Sequence, residues 1–176
     1  MNNIPAIKLY GTSSCHKCQY YKSLLDELSL PYEFLDVQKN EEYAMELKGL
    51  YRSGKLNFPT ITIGSKKLRN PDKETLIYWL NLLIPDRLPL VHDKDNNRFT
   101  LLLNGNLAVV TYSLHEGKMY LNHSEVPIHL RGRGIGKVLV NKTFEQLTAE
   151  GYIAVAVCPF IKAIARRNPK WNAIIQ

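Results

Sequence analysis

The segment YGTSSCHKCQYYKSLLDELSLPY, residues 10–32, decides the fold of the first half of the chain. A short apolar run at residues 7–10 leads into it and is typical of a strand. From Gln19 onward apolar side chains recur at helical spacing, until Pro31 ends the pattern. The motif Cys15-His16-Lys17-Cys18 lies between these two elements. The segment therefore predicts a strand, a cysteine pair at a helix start, and the helix itself.

The rest of the first half continues as alternating elements. Strand and helix patterns follow one another, and a Gly64-Ser65 turn separates two short strands. Asp72 is a plausible N-cap for the last helix. The predicted strands and helices cover residues 33–37, 41–53, 58–63, 66–68 and 72–84. The predicted order is βαβαββα.

The cysteine pair is compatible with a metal site, a redox centre or two inert buried thiols. Tetrahedral zinc needs further ligands, and the third cysteine, Cys158, is far away in sequence, so no metal is predicted. A helix start favours a thiolate at Cys15, and Cys18 follows one turn later, where it could attack a mixed disulfide on Cys15. We therefore predict a redox-active CxxC pair, with inert thiols as the open alternative.

The stretch Phe58-Pro59-Thr60 supports the redox interpretation. In this order of elements, a proline before a strand can face the cysteine pair. Together with His16 and Lys17, Phe58 and Pro59 are predicted to bind the substrate. Taken alone, a proline at a strand start is usually only an edge residue.

These motifs, with Leu68-Arg69-Asn70-Pro71, resemble a glutaredoxin of the mycoredoxin type over residues 5–84. The resemblance implies a thioredoxin-like fold, Cys15 as nucleophile, Cys18 as resolving thiol and a cis peptide at Pro59. Two departures concern the partner: His-Lys stands between the cysteines, and residues 67–72 replace the usual glutathione-binding Gly-Gly and Asp pair. The expected reductant is glutathione or another low-mass thiol, with a protein as the alternative.

Two prolines at residues 85 and 89 break the pattern and predict a domain boundary. The predicted organisation is a domain at residues 1–84, a linker at 85–91 and a second domain at 92–176. An Asn104-Gly105 pair predicts a hairpin turn. Further strands and helices of the second half are predicted at residues 99–103, 107–112, 119–123, 136–150, 153–157 and 161–167.

The second half contains a glycine-rich turn, Arg131-Gly132-Arg133-Gly134-Ile135-Gly136-Lys137. It is neither a P-loop nor Gly-x-Gly-x-x-Gly, because its glycines alternate and Val138 stands where a P-loop has Ser or Thr. Glycines before a helix let backbone N–H groups approach an anion, and the two arginines add charge. The motif favours a pyrophosphate site over a simple tight turn.

Four motifs carry a second resemblance: His123-Ser124-Glu125-Val126-Pro127, the glycine-rich turn, Cys158-Pro159-Phe160 and Asn168-Pro169-Lys170-Trp171. In this order they resemble the short branch of the GNAT acetyltransferase superfamily, over about residues 92–174. The resemblance implies a GNAT-like α+β fold that binds acetyl-CoA or CoA. The implied cofactor-binding residues are Val126, Arg131, Gly132, Arg133, Gly134, Ile135, Gly136 and Lys137.

The same resemblance places Cys158 near the acetyl group, where the strands part. Cys158 is a candidate catalytic nucleophile, a thiol near the cofactor or a small buried hydrophobe. Glu125 and His123 are candidate general bases for an amine acceptor of unknown identity. In the alternative, Glu125 is a solvated or salt-bridged side chain and His123 is a structural histidine. Asn168 replaces the usual His, and an amide does not titrate.

Charge and hydrophobicity indicate whether nucleic acid or a membrane is an expected partner. The net charge of +7 reads first as a solvated basic surface, and no nucleic-acid motif appears, so no nucleic-acid partner is expected. No apolar run could span a membrane and no secretory signal opens the chain, which predicts a cytoplasmic protein.

The sequence thus predicts a fusion protein with thiol–disulfide oxidoreductase activity on disulfides or thiol adducts and with N-acetyltransferase activity. In the alternative, the C-terminal domain is a non-catalytic CoA-binding or regulatory module. A further hypothesis couples the halves: Cys158, once oxidised or capped by CoA, would be reduced by Cys15.

Overall fold

The computed structural model describes residues 4–176, and the chain divides into two compact units, Met1–Leu83 and Ile84–Gln176. None of the helices within residues 4–176 is long and apolar enough to cross a membrane.

The first unit is built on a four-stranded sheet with the order β2-β1-β3-β4, in which β1 and β2 are parallel and the other pairs antiparallel. Its elements are β1 Ile7–Gly11, α1 His16–Glu27, β2 Glu33–Asp36, α2 Glu41–Gly49, β3 Thr60–Ile63, β4 Lys66–Arg69 and α3 Lys73–Leu83.

The sheet and helices of the first unit bury apolar side chains at the expected periods. Tyr21, Leu24 and Leu25 lie on the buried face of α1, at the spacing of one helical stripe. Leu76 and Leu80 of α3 are fully buried. The central strands β1 and β3 contribute buried side chains from both of their faces, as strands covered on two sides do. This core holds in place the C-terminal end of β1, after which α1 begins.

Two boundaries in the first unit differ from the sequence prediction. The second helix, predicted over residues 41–53, ends at Gly49, with Leu50 as its C-cap. The strand predicted from residue 58 begins at Thr60. A proline has no N–H to donate to a ladder, so pairing begins after Pro59.

The second unit contains a five-stranded sheet with the order β5-β6-β7-β8-β9, antiparallel except for the last pair, β8 and β9. Its elements are β5 Leu90–Asp93, β6 Arg98–Leu103, β7 Asn106–His115, β8 Lys118–Glu125, α4 Ile135–Ala149, β9 Ile153–Ala156, α5 Pro159–Arg166 and α6 Pro169–Asn172, with short 3-10 helices at Pro85–Arg87 and Ile128–Leu130.

The sequence pattern does not predict β5, because it predicts a linker over residues 85–91. In the structure that segment holds the 3-10 helix Pro85–Arg87 and the start of β5, which pairs Leu90 with Leu101 and His92 with Phe99. The first unit ends at Leu83, just before Pro85, and the residues predicted as a linker belong to the second unit. The local sequence shows that the helical pattern is interrupted, but it does not show that β5 pairs with β6, because that pairing depends on residues later in the chain.

The parallel strands β8 and β9 separate at one residue. They pair from Lys118↔Ile153 to Leu121↔Ala156. Beyond that point the N–H groups of Val157 and Cys158 both donate to the carbonyl of Leu121, at 3.1 and 3.0 Å. The chain of β9 therefore turns away from β8, and the opening lies next to the last residues of β8.

The core of the second unit lies between the sheet and α4. Phe99, Leu101 and Leu103 alternate toward the helix from β6, and each is fully buried. Four α4 residues meet them at helical spacing: Leu139, Val140, Phe144 and Leu147. This packing holds the start of α4, and hence the glycine-rich turn, against the end of β8.

Candidate functional sites

The cysteine pair lies at the N-terminus of α1. Cys15 is the N-cap residue, and its Sγ accepts a hydrogen bond from the N–H of Cys18 at 3.3 Å. Cys15 is partly exposed, whereas Cys18 is fully buried. Both thiols are free, and the sulfur that solvent reaches accepts the N–H of Cys18 at the start of the helix.

Cys18 is kept protonated by its surroundings. Burial raises the pKa of the Cys18 thiol to about 11, and its interaction with Cys15 acts in the same direction. A hydrogen bond from the backbone of Thr12 and the charge of Lys22 oppose this only in part. The two cysteines are thus chemically unequal: the outer one is open to a substrate and the inner one is a shielded thiol.

A shallow cleft opens at Cys15, and its lining includes Leu56 and Phe58. The Phe58 side chain is 42% exposed. The Phe58–Pro59 peptide bond is cis, as the glutaredoxin resemblance implies. The carbonyl of Pro59 accepts the N–H of Asn70 at 2.8 Å.

The predicted substrate residues His16 and Lys17 lie in an adjacent cleft rather than in the one lined by Cys15. Lys17 Nζ donates to Asn70 Oδ1 at 3.2 Å, so Asn70 joins the start of α1 to the segment of Pro59. Asn70, at the end of β4, is a site-forming residue that sequence inspection noted only as part of a motif. Its left-handed φ of 39° is tolerated by asparagine better than by most residues.

In the second unit, the glycine-rich turn forms the entry to α4. Gly134 is the N-cap of α4 with a φ of 78°, and Gly132 has a φ of 75°, so both adopt left-handed backbone that favours glycine. Gly136 lies close to Phe160, because an added Cβ would be 3.1 Å from Cζ of that ring and the ring would have to move slightly. The first N–H groups of α4 have no partners within the helix.

A cleft of about 540 Å³ opens at this turn. The structure brings most of the predicted site residues into its wall, including His123 and Cys158. It does not bring in Glu125 or Arg133, which are exposed outside the lining. The lining residues predicted as cofactor-binding are Val126, Arg131, Gly132, Gly134, Ile135, Gly136 and Lys137.

Arg131 is fixed at the mouth of the cleft. Its Nε donates to the carbonyl of Val126 at 2.9 Å, which leaves the terminal guanidinium nitrogens for other acceptors. Phe160 and Leu130 add apolar wall that the sequence did not assign to the site. Leu130 directly precedes the glycine-rich turn, whereas Phe160 is brought there by long-range packing.

Cys158 lies at the inner end of the cleft and is the N-cap of α5. Burial acts to raise the pKa of this thiol, but N–H groups of Ile161 and Phe160 and the hydroxyl of Ser124 outweigh it, so the pKa is lowered. Ser124 Oγ is 3.8 Å from Cys158 Sγ. Cys158 is thus a buried thiol with a lowered pKa and a neighbouring hydroxyl.

Asn168 is the N-cap residue of α6. Its Oδ1 accepts the N–H of Lys170 at 3.0 Å and caps α6. The residue is absent from the lining of the Cys158 cleft. No group of three or more His, Cys, Asp or Glu side chains within residues 4–176 is arranged to hold a metal ion.

Comparison with known proteins finds a matching family model for each of the two units. The glutaredoxin family model matches residues 7–68, and the model described as GCN5-related N-acetyl-transferase matches residues 98–174. Protein NATD1 of Danio rerio is 36% identical over 95 residues, which is 51% of this chain and 86% of that protein. The chain belongs to the GCN5-related N-acetyltransferase family through its second unit. Protein NATD1 of Homo sapiens is 37% identical over 82 residues, covering 44% of this chain and 72% of the relative.

The first unit is a glutaredoxin-like domain with a thioredoxin-like fold. A crystal structure of a mutant of the thioredoxin-like protein BC3987 is similar to it at 28% identity and a TM-score of 0.38, covering 43% of this chain and 94% of that one. The predicted fold class, a thioredoxin-like region followed by a sheet-rich GNAT-like region, is confirmed. The more specific mycoredoxin-type assignment stays a prediction.

Proposed function

We propose that the first unit is a dithiol oxidoreductase in which Cys15 attacks a disulfide or thiol adduct and Cys18 resolves the mixed disulfide. The observation that carries the proposal is the pairing of a partly exposed N-cap thiol with a buried one, joined by the 3.3 Å Cys18 N–H to Cys15 Sγ contact. The outer sulfur is accessible for attack. The inner sulfur is protected from outside disulfides and belongs to the residue whose N–H contacts the outer sulfur, so it is positioned to resolve the mixed disulfide.

The dithiol proposal is tested with two single variants. Cys15→Ser removes the attacking sulfur and is expected to abolish reduction of a disulfide substrate. Cys18→Ser keeps the attack but not the resolution, so a mixed disulfide on Cys15 is expected to accumulate and be visible by intact-mass spectrometry. Full reductase activity in Cys15→Ser would contradict the proposal.

We propose that the second unit binds acetyl-CoA or CoA at the glycine-rich turn. The left-handed glycines, the N–H groups that begin α4 and Arg131 form an anion cradle suited to a pyrophosphate. Acetyl-CoA would supply an activated acetyl thioester to this cleft. The positions of Gly132 and Gly134 support the assignment, since a side chain at either would strain the backbone of the turn.

For acetyl transfer, the cleft offers Cys158 and His123, both in its wall. His123 is better placed than Glu125 to accept a proton from an amine acceptor, because Glu125 lies outside the lining. Cys158 can accept an acyl group as a thioester, since its lowered pKa favours the nucleophilic thiolate. The amine remains unidentified, and a CoA-binding module without transfer is the second candidate.

Calorimetric titration of acetyl-CoA tests the binding step. Arg131→Ala is expected to weaken binding about tenfold, as loss of one charge-assisted contact does. Arg133→Ala serves as the matched control and is expected to bind nearly as the unchanged protein does, because Arg133 lies outside the cleft. An unchanged protein that binds no acyl-CoA would contradict the proposal. Binding without turnover on a broad amine panel would favour the non-catalytic alternative.

A further inference from the structure

Basic side chains line two clefts that continue from the Cys15 cleft. Phe58 lines the Cys15 cleft and also the neighbouring one, which contains Lys17 and Arg69. Lys17 in turn lines the next cleft, which contains Lys73. A continuous surface therefore runs from the nucleophilic sulfur, past apolar side chains, to three cations. We call Lys17, Arg69 and Lys73 the basic groove.

Two cations of the groove, Arg69 and Lys73, do not make the fold-stabilising contacts that other lysines of the unit make, whereas Lys17 donates to Asn70 Oδ1 at 3.2 Å. No ion pair or cation–π contact to Arg69 or Lys73 forms among the residues that the structure describes. Five other lysines have such partners: Lys8 with Glu46, Lys22 with Phe34, Lys39 with Asp36, Lys66 with Trp79 and Lys67 with Tyr51. All three groove cations are exposed, and Arg69 and Lys73 are available to a ligand.

The acidic side chain in this lining, Asp72, is already engaged. Its Oδ1 accepts the N–H of Thr75 at 2.7 Å at the start of α3. The carboxylate thus offsets part of the positive charge but serves mainly as a helix cap. With three cations and one anion, the groove keeps a net positive charge next to the dithiol.

We propose that the first unit reduces disulfides of a low-mass thiol that carries phosphate groups, a nucleotide thiol of the coenzyme A kind. This specificity rests on the proposed dithiol function. A neutral, flexible arm would lie along Leu56 and Phe58, and the phosphates would contact Arg69 and Lys73. An arginine fork suits phosphate oxygens, and several cations spread along a groove suit a ligand with several anionic groups.

The reaction balances without any further reductant in a single turnover. The Cys15 thiolate attacks one sulfur of the ligand disulfide, breaks its S–S bond and releases one ligand thiolate. Cys18 loses its proton to water, attacks Cys15 Sγ and releases the second ligand thiolate. Each released thiolate takes up a proton, so the disulfide gains two electrons and the Cys15–Cys18 pair loses two.

The experiment compares single-turnover rates of the pre-reduced full chain with CoA disulfide and with pantethine, which has the same reactive arm but no phosphates. We expect CoA disulfide to react on the order of tenfold faster at low salt, because a basic groove raises the local concentration of an anionic substrate. The advantage should shrink at high salt, where exposed charges are screened. Glutathione disulfide is the third substrate.

Two variants test whether the preference for CoA disulfide comes from the basic groove. In Arg69→Gln/Lys73→Gln the ratio of the CoA disulfide rate to the pantethine rate should fall toward one. Lys48→Gln, an exposed lysine on α2, is the matched control and should keep the ratio of the unchanged protein. A rate ratio near one in the unchanged protein would overturn the proposed specificity. So would a high ratio that stays high in the double variant.

The remaining outcomes are also decisive. If glutathione disulfide reacts fastest, the groove serves a carboxylate-bearing thiol and the phosphate assignment is wrong. If pantethine is reduced at the same rate as CoA disulfide, the dithiol function stands and only the specificity fails. If the pre-reduced protein reduces none of the three disulfides, the proposed function itself fails and the specificity falls with it.

Discussion

Gly11 in β1 faces the Cys18 thiol so closely that an added Cβ would lie 2.3 Å from Cys18 Sγ. A contact that short cannot exist without movement, and the side chain it meets is fully buried. The absence of a side chain at Gly11 therefore creates the space for the inner thiol. The requirement is steric, and it links the end of the first strand directly to the redox pair.

Gly11→Ala is expected to destabilise the first unit by about 1–3 kcal/mol, the usual cost of overpacking a filled core. Urea unfolding can be followed by Trp79 fluorescence in a Trp171→Phe background, since the chain has only these two tryptophans. Gly49→Ala is the control, because a Cβ there meets nothing within 4 Å. It should be neutral or slightly stabilising, and equal effects of the two variants would refute the steric argument.

Gly136→Ala should weaken acetyl-CoA binding with little loss of stability. The added Cβ would meet the Phe160 ring at 3.1 and 3.2 Å, and that ring is 48% exposed and free to shift into the cleft. Calorimetry should show a loss of about tenfold or more in affinity, as expected when a side chain fills a close-approach position. Gly136→Ala/Phe160→Leu should recover part of the affinity; no recovery would mean that the ring is not responsible.

Ser124→Ala should raise the pKa of Cys158. The Ser124 hydroxyl is one of the groups that lower it, and the variant leaves burial unchanged. The rate of iodoacetamide alkylation as a function of pH, measured in a Cys15→Ser/Cys18→Ser background, should shift its midpoint upward. Ser113→Ala on β7 is the control, because its hydroxyl accepts from Asn122 instead. An unshifted Ser124→Ala profile would exclude the hydroxyl as a thiolate partner.

Glu150 should contribute pH-dependent stability to the second unit. Burial opposes its charge, but hydrogen bonds from Gln146, His92 and Lys94 lower its pKa to about 2 from a usual 4.5. Because the folded pKa is lowered, the contribution is present above the unfolded value of about 4.5 and is lost as pH falls toward 2. After allowance for solvent screening we expect it to be on the order of 1–2 kcal/mol.

Urea unfolding of the unchanged protein and of Glu150→Gln, followed by Trp171 in a Trp79→Phe background, measures this contribution. The difference between the two should be largest near neutral pH and should shrink between pH values of about 5 and 3. Glu145→Gln, an exposed carboxylate on the same helix, should show no such trend. A difference that stays constant with pH would rule out the ionic contribution of Glu150.

Much of the fold could be predicted from sequence because its signals are local. Apolar spacing predicted α1, the N-cap Asp72 predicted α3, and the glycine-rich turn predicted the start of α4. The Asn104-Gly105 pair correctly placed the turn between β6 and β7. β5 was missed, because an edge strand of four residues carries little periodic signal beside two prolines. The second helix was predicted over residues 41–53 but ends at Gly49, with Leu50 as its C-cap.

The sequence by itself determined which chemistry each unit could carry, because helix-start cysteines and alternating glycines before a helix act through local backbone geometry. Only the tertiary structure decided which residues share a cleft: it placed His123 beside the glycine-rich turn and left Glu125 and Arg133 outside. It also buried Cys18 against Gly11 and set Ser124 beside Cys158. These contacts depend on where β1 meets α1 and where β8 parts from β9, and such long-range packing has no signature in local sequence.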